Sequence, residues 1–365
     1  MDNANYAPSF LPYLLSSGGL GDERFTLIDV GCSGGLDPLW RLFGNSLEAH
    51  GFDPQRGECA RLQAAEALPH VHYHPYLVGL PKGHPFLAQR AADEAARAPY
   101  HASPWQRFSS VAAVERHAVQ AQSQSIGEDL TAETISIDDF AERRGLRDID
   151  FVKIDTDGFD LEAALSCERS IRSRGVLGFM IESPFTGGPA STENSLHNID
   201  RLMRSYGFTL FALSTNRYSR RHLPARFVYR IPAQTEAGQV AWGDAVYLRD
   251  AAAPGYVEFF GEDLSVPKLL KLAALFELFR LPDCAAELLI SRRERLGGAI
   301  DVERALDLLT QSLLGQARPY REHLRLFETD LDSFFPWTSK LPRPPMGARL
   351  WLGRILARVA RRLGT

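Results

Sequence analysis

The sequence predicts an open α/β fold: a seven-stranded, mostly parallel sheet with an antiparallel edge and helices on both faces, then an all-α extension. Three observations carry that prediction. Strand-like and helix-like runs alternate from residue 25 to residue 250. The first apolar run opens directly into a glycine-rich turn, "FTLIDVGCSGG" at 25–35. After Pro254 the composition changes to consecutive amphipathic helices.

Taken in order, YAPSFLPYLLSS (6–17) reads as a short apolar helix ending at the turn Ser16-Ser17-Gly18-Gly19. FTLIDV (25–30) is a buried strand, LDPLWRLFG (36–44) is helical and LEAHGFDP (47–54) is a strand. QRGECARLQAAEAL (55–68) is an Ala- and Leu-rich helix and HVHYHPYLVG (70–79) a third strand, which completes a βαβαβ half. The rhythm then breaks over 80–125, and an irregular insertion of that length in an α/β domain reads as a substrate loop. It returns with TISIDDFAERRG (134–145), a strand entering a helix, and with the strand of IDFVKIDTDGFD (149–160). A helix at 161–171, a strand at 176–184, a helix at 194–206 and a strand at 208–213 follow. RFVYRI (226–231) and DAVYLRD (244–250) are the last two strands. Helices at 266–281, 283–296 and 301–314 form the extension, and LPRPP (341–345) is a hinge before a basic helix. The expected domains are therefore 1–253, 254–340 and 341–365.

A net charge of −4 gives no global attraction to nucleic acid, so no nucleic-acid partner is expected. The four cysteines, Cys32, Cys59, Cys167 and Cys284, show no CxxC spacing, which fits a reducing compartment and neither a disulfide framework nor a zinc module. Neither a signal peptide nor an apolar stretch long enough to span a membrane is visible, and the expected location is the cytoplasm.

In "DVGCSGGLDP" the glycines Gly31, Gly34 and Gly35 let the backbone leave a strand and approach a ligand closely. Their order is GxxGG rather than the GxGxxG of a diphosphate site, and Asp29 just inside the turn would repel a diphosphate while suiting an ammonium group. Asp53 ends the second strand 22 residues after Gly31, where a carboxylate can accept both hydrogens of a ribose diol. A ligand with a cationic amino-acid end and a ribose but no phosphate is S-adenosylmethionine. Its expected contacts are Asp29, Gly31, Cys32, Ser33, Gly34, Asp53 and Pro54. The same residues would also serve a plain buried strand ending in a glycine turn, with Asp53 capping the chain before Gln55.

At "TISIDDFAERRGLRDIDFVKIDTDGFDLEAAL" (134–165) the sequence resembles the FkbM family of S-adenosylmethionine-dependent methyltransferases. That family's phrase runs close to D-x-x-K-I-D-x-E-G-x-E; Asp150, Lys153, Ile154, Asp155 and Gly158 match it, and Asp157 and Asp160 stand where Glu is commoner. The resemblance covers 25–215. It implies a class I methyltransferase (Rossmann-like) fold and carbohydrate modification, usually O-methylation of a hydroxyl on a sugar, polysaccharide or polyketide. The helices after 253 lie outside it.

Methyl transfer to a hydroxyl needs alignment and a place for the proton. Asp155 ends its strand at the carboxyl edge of the sheet, and Glu182 in GFMIESPF ends the next. Lys153 shares a face with Asp155 and can orient it or lower its pKa. These three are the expected catalytic residues. Asp155 and Glu182 also have the oxygen donors of an Mg²⁺ site that would acidify the hydroxyl. Asp160 and Glu162 read as acids favoured at a helix start by the macrodipole. Thr186-Gly187-Gly188-Pro189 reads as a loop able to close over the acceptor.

His70, His72 and His74 have the spacing of a metal trio but converge poorly from one strand, so a half-exposed strand is the plainer reading. Trp105, Phe108, Ser109 and Ser110 would suit either a sugar platform or loop packing. The last helix (346–364) sets Leu352, Ile355, Leu356, Val359 and Leu363 opposite Arg354, Arg358, Arg361 and Arg362. Such a face can lie on the inner face of an anionic membrane or dock on the preceding helices. The expected partners are a hydroxylated small molecule or glycan acceptor, a peripheral membrane surface and a second copy of the chain. Two rivals are an NAD-dependent sugar oxidoreductase or epimerase, disfavoured by the missing GxGxxG and Tyr-x-x-x-Lys, and a non-catalytic scaffold acting through the helical tail.

Overall fold

The computed structural model describes residues 7–98, 132–218, 235–314 and 318–329. Its strands in chain order are β1 (Phe25–Val30), β2 (Leu47–Phe52), β3 (Val71–His74), β4 (Tyr76–Val78), β5 (Glu133–Ile135), β6 (Phe151–Ile154), β7 (Gly178–Pro184), β8 (Thr209–Leu213), β9 (Asn216–Tyr218) and β10 (Gln239–Leu248). The main sheet runs β3-β2-β1-β6-β7-β10-β8, with β9 paired to β10. β3, β2, β1, β6 and β7 are mutually parallel, while β10 is antiparallel to both β7 and β8. This is the expected seven-stranded, mostly parallel sheet, with one difference from the sequence-based expectation. The antiparallel strand is not the edge: β10 inserts between β7 and β8, and β8 takes the outer position.

β1 is buried along its whole length, as its unbroken apolar run requires of a strand covered on both faces. Phe25 stacks on Phe43 with ring centres 4.1 Å apart, and Trp40 packs on Phe151 at 4.9 Å. Three expected elements break where the chain has a local reason. The run 70–79 is two strands, because Pro75 offers no N–H to the ladder: β3 stays in the main sheet and β4 leaves it to pair with β5. The helix expected at 161–171 is two, Asp160–Leu165 and Glu168–Ser173. At the break Ser166 Oγ donates back to Ala163 O at 2.7 Å, and Asp138 receives the N–H groups of Arg169 (2.8 Å) and Ser170 (2.7 Å) that open the second helix. The run 36–44 supplies only the short helix Pro38–Arg41 and a 3₁₀ turn at Gly44–Ser46.

The chain divides into two compact units, Met1–Ala317 and Arg318–Thr365. In the first, the helix Val266–Leu278 is almost wholly buried. Two of its lysines reach one acid below β6: Lys268 Nζ lies 2.7 Å from Asp150 Oδ1 and Lys271 Nζ 3.0 Å from Asp150 Oδ2. Glu277 on the same helix receives the N–H groups of Ser9, Phe10 and Leu11, each at 2.8 Å, so a carboxylate caps the start of the helix Phe10–Ser17. In the second unit the described helix is Tyr320–Thr329. The strand expected at 226–231, the residues Trp105, Phe108, Ser109 and Ser110, the hinge at 341–345 and the basic helix at 346–364 lie outside the described residues. No helix among the described residues is long and apolar enough to cross a membrane.

Candidate active site

The carboxyl ends of β1, β2, β6 and β7 bring the candidate residues to one edge of the sheet. Gly31 has φ +81°, and a Cβ on it would stand 1.7 Å from the carbonyl oxygen of Asp155, so only glycine permits this approach. The two strand ends are tied in register: Asp155 N–H donates to Val30 O at 3.0 Å, and Gly31 N–H donates to Phe52 O at 2.9 Å. Lys153 Nζ closes the joint from behind, donating to Gly31 O at 3.0 Å and lying 3.3 Å from both Asp29 Oδ1 and Asp155 Oδ2. The sequence-based pairing of Lys153 with Asp155 is therefore present. Burial opposes the lysine's charge, but Asp29 and Asp155 outweigh it and hold the ammonium above the usual lysine range.

Asp29 itself is 2% exposed, and burial, only partly offset by Lys153, raises its carboxyl to about 6. It thus faces Lys153 rather than open space, and its Oδ1 has no hydrogen bond. Cys32 is buried, with its N–H given to Phe52 O at 3.0 Å, whereas Ser33 and Gly34 are exposed. Gly34 N–H donates to Glu58 Oε1 at 3.0 Å. Asp53 stands at the end of β2 with Pro54 beside it. Its Oδ1 accepts Gln55 N–H at 2.7 Å, the turn-capping contact that the alternative reading called for, and burial raises its carboxyl. Gly31, the exposed turn at Ser33–Gly34 and Asp53 are the residues here that could hold an S-adenosyl group. Ser33 and Gly34 would hold its amino-acid end, and Asp53 its ribose.

On the acceptor side Asp155 is 46% exposed in its side chain. Asp157 takes a left-handed backbone, φ +53°, which aspartate tolerates better than most residues, and burial followed by Asp155 raises its carboxyl. Glu182 is raised to about 9, first by burial and then by Asp155, Asp160, Asp157 and Asp244. Asp244 had no place among the sequence candidates. It lies directly opposite Glu182 in the β10–β7 ladder, and Ser214 fixes it: Ser214 Oγ donates to Asp244 Oδ2 at 3.0 Å, and Asp244 N–H donates to Ser214 Oγ at 2.8 Å. The one available signal was a carboxylate opening the apolar run DAVYLRD.

Asp160 and Glu162 stand in the first turn of the helix Asp160–Leu165, as expected, and each also binds groups from distant parts of the chain. Asp160 is fully buried and accepts Thr156 N–H (2.8 Å), Thr156 Oγ1 (2.9 Å) and Asn194 Nδ2 (2.8 Å), which locks the turn after β6. Glu162 accepts Leu80 N–H at 3.3 Å and Arg90 Nη1 at 2.7 Å. The Mg²⁺ expectation does not fit. Lys153 already brings an ammonium to Asp155, and among the described residues no group of three or more His, Cys, Asp or Glu is arranged to hold a metal ion. The histidines behave likewise: His74 Nε2 lies 3.1 Å from His50 Nδ1 on β2, and burial followed by His50 lowers His74 to about 3, which keeps it neutral.

Glu182 and Asp157 line a cavity of about 220 Å³ whose other walls include Arg90, Asp93, Arg97, Thr186, Glu193 and Trp242. Residues 49–210, from within β2 to within β8, match the family described as the methyltransferase FkbM domain. The chain carries an FkbM-family methyltransferase domain. S-adenosylmethionine is the expected methyl donor of this FkbM domain. The match begins after the glycine turn, and it includes Lys153, Asp155, Asp157, Glu182 and the near wall of the cavity. Among solved structures the chain is similar to magnesium protoporphyrin IX methyltransferase from Synechocystis with bound S-adenosylmethionine, at 8% identity and TM-score 0.28, covering 66% of this chain and 76% of that one. It is also similar to a TehB-like S-adenosylmethionine-dependent methyltransferase from Corynebacterium glutamicum, at 10% identity and TM-score 0.28, covering 66% and 87%. No match is found among curated proteins.

Proposed function

We propose that the FkbM domain of this chain O-methylates a hydroxyl of a sugar, glycan or related hydroxylated product. The observation that carries the reading is Glu182, a carboxyl raised to about 9 in the lining of a cavity and within electrostatic reach of Asp155. An alkyl hydroxyl is a poor acid, and a carboxylate with an elevated pKa is a better base for it than an ordinary one. When bound, S-adenosylmethionine supplies an activated methyl group together with its leaving group. The chain's part is to hold the acceptor in line and take its proton. Lys153 fixes Asp155, and Glu182 receives the proton from the hydroxyl.

Incubation of the intact chain with radiolabelled S-adenosylmethionine and a panel of methyl glycosides and polyols tests this directly. Label in an alkali-stable ether is expected; label confined to an amine or an ester would overturn it. We also propose peripheral membrane contact through residues 346–364, supported by the arginine face opposite Leu352, Ile355 and Leu356. Liposome sedimentation of the intact chain against one ending at Pro345 decides that point.

A further inference from the structure

The turn that carries Asp155 and Asp157 out of β6 is not a relaxed one. Asp157 has φ +53° and Gly158 φ +129°, and a non-glycine residue at positive φ stays there only where its surroundings hold it. One buried carboxylate does much of the holding. Asp160 Oδ1 accepts Thr156 N–H at 2.8 Å and Thr156 Oγ1 at 2.9 Å, and Thr156 Oγ1 in turn accepts Phe159 N–H at 3.1 Å, so the turn closes on itself. The other oxygen is met from a different connection of the sheet. Asn194 Nδ2 donates to Asp160 Oδ2 at 2.8 Å, and Asn194 Oδ1 accepts Leu161 N–H at 3.0 Å.

Asn194 stands on the loop between β7 and the helix Leu196–Ser205, and that loop is itself fixed. The buried Asn198 donates from Nδ2 to Ala190 O at 2.8 Å and to Glu193 O at 2.9 Å. One amide side chain thus ties the loop after β7 to the turn after β6. An amide suits the place, because it offers a donor to the carboxylate and an acceptor to a free N–H of the helix start at once. A carboxylate there would face Asp160 with a like charge. Asn194, Asp157, Gly158 and Glu182 all line the same cavity. We propose that Asn194 is a positioning residue for methyl transfer: through Asp160 it fixes the turn Asp155–Gly158 and so keeps Asp155 and Asp157 within electrostatic reach of Glu182. The charged groups that act on Glu182 are Asp155, Asp160, Asp157 and Asp244, and Lys153 lies 3.3 Å from Asp155 on the sheet side. The effect on the turn stands by itself; the effect on the rate rests on the reading of Glu182 as the proton acceptor.

The test compares the intact chain with Asn194→Leu and Asn194→Asp. The Glu182 carboxyl is followed through a pH titration by ¹³C NMR, and the protection of the Thr156 and Leu161 amides by hydrogen exchange. In Asn194→Leu both amides are expected to lose about tenfold or more of their protection while Val152 and Ile154 in β6 keep theirs. The Glu182 midpoint should move toward acid by about half a unit or more, as the neighbouring acids become free to turn into water. A merely structural role would lower the urea midpoint and leave the Glu182 titration where it was. Asn194→Asp covers the case in which the leucine variant does not fold. Its carboxyl must share a proton with Asp160, so protection of Thr156 and Leu161 should match the parent in acid and fall once that proton leaves. The proposal is overturned if Glu182 titrates in Asn194→Leu as it does in the parent, or if protection in Asn194→Asp does not change with pH. In the label-transfer assay kcat should fall in Asn194→Leu, with S-adenosylhomocysteine binding unchanged. A fall in kcat whose pH profile does not follow the moved Glu182 midpoint would leave Asn194 as the positioning residue and overturn Glu182 as the base.

Discussion

Gly31 and Asp155 touch where a side chain cannot fit: a Cβ on Gly31 would stand 1.7 Å from the Asp155 carbonyl oxygen. The glycine turn after β1 and the acidic end of β6 are therefore one joint, with Lys153 bonded to both sides of it. Gly31→Ala must part the ends of β1 and β6 and also adopt a positive φ. We expect affinity for S-adenosylhomocysteine to fall by about tenfold or more and unfolding free energy by about 1–3 kcal/mol. Calorimetry and urea denaturation read the two, and a variant that binds as tightly as the parent would disprove the joint.

A second joint lies at the opposite end of β6. Asp150 is fully buried, accepts Thr26 N–H at 2.8 Å and faces both Lys268 and Lys271, which are 6% and 1% exposed. Asp150→Asn keeps the shape and leaves two buried ammonium groups short of their shared counter-charge. Removing one partner of a buried pair costs about 3–5 kcal/mol, and we expect a loss of that order in urea denaturation. Because the helix Val266–Leu278 is anchored here, far-UV and aromatic signals should fall together. An early helix-only transition would show that Asp150 is not what couples the extension to the sheet.

How much of this was legible in the sequence follows from the range of the forces involved. β1, β2, β6 and β7 are short apolar runs with clear ends, and their alternation with helices already implied a parallel sheet and the edge where Asp53, Asp155 and Glu182 gather. The Lys153–Asp155 contact was readable because residues two apart on a strand share a face. The contact of Asp29 with Lys153 was not legible, since Lys153 lies on a strand that joins β1 only in the folded sheet. Asp244 escaped notice for the same reason: its opposition to Glu182 comes from the antiparallel register of β10 on β7, which no local pattern encodes. The roles of Asp160 and Glu162 likewise depend on Asn194, Arg90 and Leu80, all distant in sequence.

That register has a consequence for pH. Asp244 is among the carboxylates that hold Glu182 upward, and like charges directly opposite each other in a ladder repel. Asp244→Asn removes one negative charge while an amide can still meet Ser214. The Glu182 carboxyl should then ionise at lower pH, so the rising limb of the rate profile moves toward acid by a fraction of a pH unit. A limb that stays in place or moves toward alkali would show that the two side chains do not sense each other.

Glu182 is the residue on which the proposed chemistry depends. With its carboxyl raised to about 9, the group is mostly protonated at neutral pH, and the basic form grows about tenfold per pH unit until that value is approached. The methylation rate at saturating acceptor should therefore climb with pH through neutrality and level off near 9. Glu182→Gln keeps the size of the side chain and cannot take a proton. It should lower kcat by about 10²–10⁴-fold, flatten the profile and leave S-adenosylhomocysteine binding intact. The linked effect on stability has a definite sign. A carboxyl raised in the folded state binds more protons there than in the unfolded chain, so its contribution is full below about 4.5 and is lost as pH rises toward about 9. Glu182→Gln should accordingly be more stable than the parent at pH 9 and similar to it at pH 5, as measured by urea denaturation at the two values. A variant that keeps the parent's kcat and pH profile would move the base elsewhere in the cluster, to Asp155 or Asp157.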